Sequence, residues 1–231
     1  MRLSERMHMV ADMVSKGEVL ADIGCDHGYL SVWLVREKTV KRAIAMDVRK
    51  GPLERAGESI RFFHQQERIE TRLSDGMDEL KPGEADRIVI AGMGGILMSG
   101  ILTRGAECVK EAEQLVLQPQ SDIDLVRKAV HRLGFKIADE RACFEDGKYY
   151  IAFACEKGAE EEPYTEAEYR YGRILTRRKD EIWMKFLTEE LKKKERMLEG
   201  MKGNDAESTL QRASEIAADT AELKKLINNE E

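Results

Sequence analysis

The segment Val19-Leu20-Ala21-Asp22-Ile23-Gly24-Cys25-Asp26-His27-Gly28-Tyr29-Leu30 reads as a buried strand that breaks into a glycine loop and then a helix. Strand, loop and helix in that order make a nucleotide cradle, with backbone N–H groups and a helix N-terminus turned toward the ligand. Two carboxylates in the loop, Asp22 and Asp26, decide which nucleotide fits. A pyrophosphate is repelled by them, whereas S-adenosylmethionine has no phosphate and carries an ammonium and a sulfonium. The spacing D-x-G-x-x-x-G also differs from the dinucleotide pattern G-x-G-x-x-G. A simpler reading of Gly24 and Gly28 is that they only permit tight backbone geometry.

Strand and helix signals alternate around this loop. A helix is expected over residues 3–16, strands over 19–24, 43–48, 69–74, 87–91 and 114–117, and helices over 29–37, 52–66, 96–102 and 122–133. A strand pair, 135–141 and 149–155, turns through Glu145-Asp146-Gly147-Lys148. Alternation with short loops predicts an α/β fold of five βα units closed by an antiparallel pair, its ligand beyond the carboxyl ends of the strands. At 231 residues and 42% apolar, the chain can bury one such core over residues 1–157 and retain a smaller unit. Four scattered cysteines form no C-x-x-C pair, so neither a zinc site nor a disulfide framework is expected. With no signal peptide and no apolar run near ~18 residues, a cytoplasmic protein with no membrane partner is expected.

The composition changes after Glu156. Glu160-Glu161-Glu162-Pro163 is a charged linker, and the apolar spacings beyond it predict two helices in residues 164–231. Gly200 and Asp205 are read as cap residues of an antiparallel, coiled-coil-like hairpin. Net charge is −6, yet residues 170–196 hold ten Lys/Arg against five Asp/Glu. A polyanion would meet that local patch, Arg170, Arg173, Arg177, Arg178 and Lys179. The other readings are a solvated helix face and a dimerisation or packing element.

Asp47 ends the second strand, where a carboxylate accepts hydrogen bonds from ribose hydroxyls. Asp75 ends the third, placed for an adenine amine, and Gly76 lets the ring lie close to the backbone. Asp26 is placed for the methionine ammonium, and Asp22 for ordering the loop. The fourth strand ends Ala91-Gly92-Met93-Gly94-Gly95 with no side-chain acceptor. A flat base can approach those glycines with Met93 against its face, or the glycines serve only the cofactor's methionine part.

These residues carry a resemblance. Leu3-Ser4-x-Arg6, Ala21-Asp22-Ile23-Gly24-x-Asp26-His27-x-Tyr29-Leu30, Ser74-Asp75-Gly76, Ala91-Gly92-Met93-Gly94-Gly95, Leu117-Gln118-Pro119 and Glu145-Asp146-Gly147-Lys148-x-Tyr150 resemble, in order and spacing, the TrmK family of bacterial tRNA adenine N1-methyltransferases. The resemblance implies a Rossmann-like class I methyltransferase sheet with a C-terminal helical domain. It also implies methyl transfer from S-adenosylmethionine to N1 of adenine 22 of tRNA. The chain departs from the family's usual pattern at Gln120, where asparagine is common, and at Ile151, where glutamate is.

N1 is unprotonated near neutral pH, so alignment can carry most of the rate without a strong base. The Gly92 carbonyl, Gln118 or Gln120 is expected to accept from the base's amino group, and His27 and Tyr29 to orient substrate or relay a proton. A structural hydrogen-bonding role for His27 is the plainer alternative. Arg6 is expected to add a phosphate contact near the pocket. Competing readings are a methyltransferase of a non-RNA substrate and an inactive binding module. No metal is expected, and a monomer is.

Overall fold

The computed structural model describes residues 1–202 and 206–228. The chain divides into two compact units, residues 1–161 and 162–231.

The first unit runs α1 (Glu5–Ala11), β1 (Gly17–Ile23), α2 (Tyr29–Arg36), β2 (Val40–Asp47), α3 (Lys50–Phe62), β3 (Ile69–Leu73), β4 (Arg87–Met93), α4 (Gly95–Arg104), α5 (Ala106–Glu111), β5 (Gln114–Pro119), α6 (Ile123–Arg132), β6 (Phe135–Glu145) and β7 (Lys148–Lys157). Its seven strands lie in the order β3-β2-β1-β4-β5-β7-β6. The first five are parallel, and β7 runs antiparallel to both β5 and β6. Strand order reverses between β1 and β4, the switch point where a crevice opens beyond the strand ends. Central strands are covered on both faces, so Leu20, Ile23, Ile44, Met46, Ile88, Ile90 and Leu117 are all buried. The β6–β7 hairpin turns at Asp146 and Gly147, both at positive φ (49° and 75°), the two-residue turn whose twist matches the strands.

The sequence expectations need four corrections. The helix expected over 3–16 is only α1: Ser4 caps it through the Met7 N–H, and it stops at Asp12. Residues 74–86 form turns, in line with the absence of an expected helix there, so the third crossover is bare and the count of five βα units becomes four. The helix α5 was not expected. Finally, β4 extends to Met93 through a bulge at Gly92.

Among the described residues the second unit holds four helices where two were expected: α7 (Glu166–Tyr171), α8 (Arg173–Arg178), α9 (Glu181–Met201) and α10 (Glu207–Asn228). The single helix expected first is broken at Gly172 (φ 81°) and Lys179 (φ 52°), after which Asp180 caps α9 through the Trp183 N–H. Thr165 and Glu168 form a reciprocal capping box on α7. Helices α9 and α10 pack side by side, bridged by Lys194–Asp219 (2.6 Å) and Lys224–Glu195 (2.7 Å). Their short connection makes the pair antiparallel. Gly200 is not a cap, because α9 continues through it; Asp205 lies outside the described residues. Among the described residues no helix is long and apolar enough to cross a membrane.

Candidate active site

A cleft of about 660 Å³ opens at the carboxyl ends of β1–β4 and is closed on one side by residues 2–7. Asp22, Gly24, Asp26, His27, Tyr29, Asp47, Asp75, Gly76, Gly92, Met93, Gln120 and Arg6 all line it. A separate groove of about 550 Å³ lies between α3 and β3 and contains none of these residues.

Asp22 is buried at the end of β1, where its Oδ2 accepts the Ser31 hydroxyl at 2.7 Å. Gly28, the N-cap of α2, has no side chain to cap with, so Asp22 caps that helix from the strand. Burial pushes its carboxyl up to about 6, opposed by hydrogen bonds from Ser31 and reinforced by nearby Asp47. Its expected role in ordering the loop therefore acts through the helix start. Asp47 is buried at the end of β2, and its Oδ1 accepts the Arg49 N–H at 2.9 Å.

Asp26 and Asp75 are exposed, and each meets an arginine from a neighbouring helix: Arg55 at 3.1 Å from Asp26, and Arg104 at 2.9 Å from Asp75. Exposed pairs of this kind contribute about 0–1 kcal/mol and exchange readily for another cation. The linear sequence gave no sign of these arginines, because both partners sit 29 residues away on the next packed helix. His27 lies 3.6 Å from Asp26 and stacks on Tyr29, with ring centroids 5.6 Å apart. Cys25 is buried in the loop, and burial followed by the charges of Asp22 and Asp47 pushes its thiol well above the ordinary range, so it is no nucleophile.

The loop geometry fits a nucleoside with a cationic tail. Gly24 (φ 77°) leaves its Cβ position to the Met93 methyl, which would lie 2.2 Å from an added carbon. Gly76 (φ 61°) has Ile101 3.0 Å from the same position. Side chains at either would fill the cradle. Asp47 presents a buried carboxylate to the same cleft, and Asp26 an exposed one.

Three expected site residues fall elsewhere. Gly28 faces Ala56 of α3, 3.1 Å from its Cβ position, and serves helix packing rather than the ligand. Gln118 is fully buried and has no free edge for a base: its Oε1 accepts both Arg6 Nη1 (2.8 Å) and the Gly92 N–H (3.1 Å), and its Nε2 donates to Pro119 O. Arg173 is buried in the second unit, bonded to Glu168, Glu162 O and Pro163 O, and is not a phosphate contact. Of its neighbours, Arg170 pairs with Asp219 and Arg177 lies 3.4 Å from Glu162; Arg177, Arg178 and Lys179 are all exposed. Cleft residues the sequence reading passed over include Val48, just after the end of β2, and Leu97 and Ile101 on α4.

The strand order, the cleft at the switch point and the acids at three strand ends define a class I methyltransferase. A family model described as a methyltransferase domain matches residues 3–153. The chain is 32% identical over 234 residues to the tRNA (adenine(22)-N(1))-methyltransferase of Bacillus subtilis, covering 99% of this chain and 98% of that one. The crystal structure of the B. subtilis m1A22 tRNA methyltransferase TrmK superposes with a TM-score of 0.90 at 31% identity, covering 98% and 99% of the two chains. A Streptococcus pneumoniae relative described as an m1A22 methyltransferase in complex with S-adenosyl-L-methionine gives 0.87 at 29% identity, covering 98% of this chain and all of that one. The chain belongs to the TrmK family of tRNA methyltransferases.

Proposed function

We propose that this chain transfers the methyl group of S-adenosylmethionine to N1 of adenine 22 of tRNA. The observation that carries the reading is one cleft with two chemistries, lined by acids at the ends of β1–β3 and by the Gly92 bulge of β4, Arg6 of α1 and Gln120 after β5. The bound cofactor supplies a methyl group on a sulfonium and leaves as a neutral thioether, so the positive charge ends on the adenine ring.

The chain's own residues bind and align. Asp47 would hold the ribose hydroxyls, Asp75 and Gly76 the adenine, and Asp26 the ammonium, with Gly24 admitting the methionine part. The adenine N1 lone pair is free at neutral pH, so no residue has to remove a proton before attack. Orientation and exclusion of water are the contributions required of the protein. His27 and Tyr29, stacked at the mouth, form a flat edge against which an incoming nucleotide can orient. Reaching N1 also requires the nucleotide to leave its stack, and that cost must be met by contacts outside the cleft. Arg178 and Lys179 offer phosphate contacts on the second unit. We place the reaction in the cytoplasm, carried out by a monomer, which sedimentation of the purified protein checks.

Methylation with labelled S-adenosylmethionine of transcripts carrying adenine or guanine at position 22, mapped by reverse-transcription arrest, tests the reading. Label and arrest confined to the adenine transcript support it. Cofactor binding without transfer to either transcript overturns it.

A further inference from the structure

Three motifs that the cofactor does not use converge on one point. Arg6 comes from α1, Gln118 from β5 and Tyr150 from β7, and the turn motif before Tyr150 supplies Glu145, whose Oε1 accepts the Glu5 N–H at 2.7 Å. Gln118 Oε1 holds Arg6 Nη1 at 2.8 Å, and the Tyr150 ring lies against the guanidinium carbon at 5.3 Å. The same Gln118 oxygen holds the N–H of Gly92, the bulged residue of β4. As a result Arg6 Nη1 sits 3.3 Å, and Gln120 Nε2 3.8 Å, from the Cβ position of Gly92. A fully buried amide that serves both a cleft arginine and a cleft backbone group is a costly arrangement if packing were its only purpose.

Given N1 methylation, adenine has one edge left that offers both an acceptor and a donor, since the sugar edge carries only the N3 acceptor. Its N1 must face the methyl donor, which leaves the Hoogsteen edge, with N7 accepting and the N6 amine donating. A donor and an acceptor side by side read that edge, and guanine, with O6 in place of the amine, fails the acceptor. Arg6 has five N–H groups, of which Gln118 takes one, and it lines the cleft beside the Gln120 amide. We propose that Arg6 and Gln120 read the Hoogsteen edge of the acceptor adenine, with Arg6 donating to N7, and that Gln118 and Tyr150 are positioning residues that hold Arg6 there. This rests on the adenine-22 reading above.

The test compares wild type, Arg6→Met, Gln118→Met and Gln118→Glu on transcripts carrying adenine or 7-deazaadenine at position 22, with kcat and KM for tRNA and the Kd for S-adenosylhomocysteine. Removing N7 is expected to cost wild type roughly 10- to 100-fold in kcat/KM, the range for one hydrogen bond from a charged donor. Arg6→Met is expected to lose a similar factor on adenine and nothing further on 7-deazaadenine. Gln118→Met should follow the same pattern with cofactor Kd unchanged, and Gln118→Glu, which keeps an acceptor for Arg6 and for the Gly92 N–H but turns its second oxygen onto Pro119 O, should recover part of the loss. Independent, multiplying losses from Arg6→Met and 7-deazaadenine overturn the assignment. So does an Arg6→Met loss that appears as weaker tRNA binding with a shallower salt dependence, because the guanidinium then holds a phosphate. An unchanged wild-type rate on 7-deazaadenine overturns it without any variant having to fold. Absence of methylation of the adenine transcript by wild type overturns the underlying reading instead.

Discussion

The two halves of the cleft are built in opposite ways. At the ends of β1–β3 the polar groups are acids that stand on or next to the strand that presents them. At the ends of β4 and β5 no acid lines the wall; the polar groups are a bulged glycine, Gln120 and an arginine brought in from α1 and held from behind by the buried Gln118 amide. The acid half suits a ligand that arrives with fixed positive charges. The neutral half suits a base that is uncharged until it reacts. Charge in a cofactor can be met by one residue at a strand end, whereas a flat neutral base must be read by several groups held at set distances, and these have to come from several elements.

The strongest way to break that contrast is Asp47→Ala. If Asp47 accepts two ribose hydroxyl hydrogen bonds as proposed, at about 1.5–3 kcal/mol each for a charged acceptor, its removal should weaken S-adenosylhomocysteine binding on the order of 10²-fold or more. Affinity for tRNA without cofactor should change by less than about threefold. Calorimetry and filter binding measure the two. Equal losses in both would show that the halves are not separable.

The same contrast explains what could be read from the chain. Alternating apolar runs and turn residues gave the strands of the first unit and the acids Asp22, Asp26, Asp47 and Asp75, because strand ends and glycine loops are local features. Arg6, Gln118 and Tyr150 were visible as motif members, but their contacts with one another were not. Gln118 was taken for a base contact, yet its fate depends on pairing across 112 residues with Arg6, which no local pattern records. Arg173 failed for a similar reason: helical spacing does not show that Gly172 bends the chain and turns that arginine inward onto Glu168. No helix was read between the third and fourth strands, where Pro82 and Gly83 would end one, so only the count of five βα units was in error.

Gly95→Ala sharpens the contrast from the acceptor side. A Cβ at Gly95 would lie 2.3 Å from Asp122 O and 2.4 Å from Ser121 O, both backbone atoms that cannot swing away. Overpacking of this kind costs about 1–3 kcal/mol. The melting midpoint should fall by roughly 3–10 °C, and kcat should drop as α4 and the Gly92 bulge shift. Cofactor Kd should stay within about threefold. A loss confined to cofactor affinity would place Gly95 in the wrong half.

Asp22→Asn tests whether the acid half carries a cost for its charge. The Asp22 carboxyl is raised from 3.8 to about 6, so the folded chain binds that proton more tightly than the unfolded chain does. Its contribution to stability is fully present below about pH 4, is lost as pH rises to about 6, and is then constant, a change of up to ~3 kcal/mol. Asparagine stays neutral and keeps an oxygen for the Ser31 hydroxyl. Urea midpoints at pH 4, 5, 6 and 7 should therefore show the variant gaining on wild type by ~1–3 kcal/mol between pH 4 and 6, then running parallel. A constant difference across that range would mean that Asp22 does not titrate there.

The smallest expected effect lies outside the cleft, in the second unit, where neighbouring cations have opposite fates. Arg173 is buried on Glu168, whereas Arg178 and Lys179 stand exposed at the end of α8. If those two touch tRNA phosphates, each contributes up to ~0.7–0.9 to the slope of log affinity against log salt. The double reversal Arg178→Glu, Lys179→Glu should flatten that slope by up to ~2 and weaken binding several-fold at 0.1 M salt. S-adenosylhomocysteine binding and kcat at saturating tRNA should hold, because base and cofactor are aligned by residues of the first unit. An unchanged slope would mean that these cations only solvate a helix end, and the search for the phosphate grip would move to the arginines beside the cleft, where Arg55 and Arg104 face Asp26 and Asp75. Arg55 would be released toward RNA when the cofactor ammonium takes its place on Asp26, so a grip through Arg55 makes tRNA affinity rise when cofactor is bound, whereas a grip through Arg178 and Lys179 leaves it independent of cofactor.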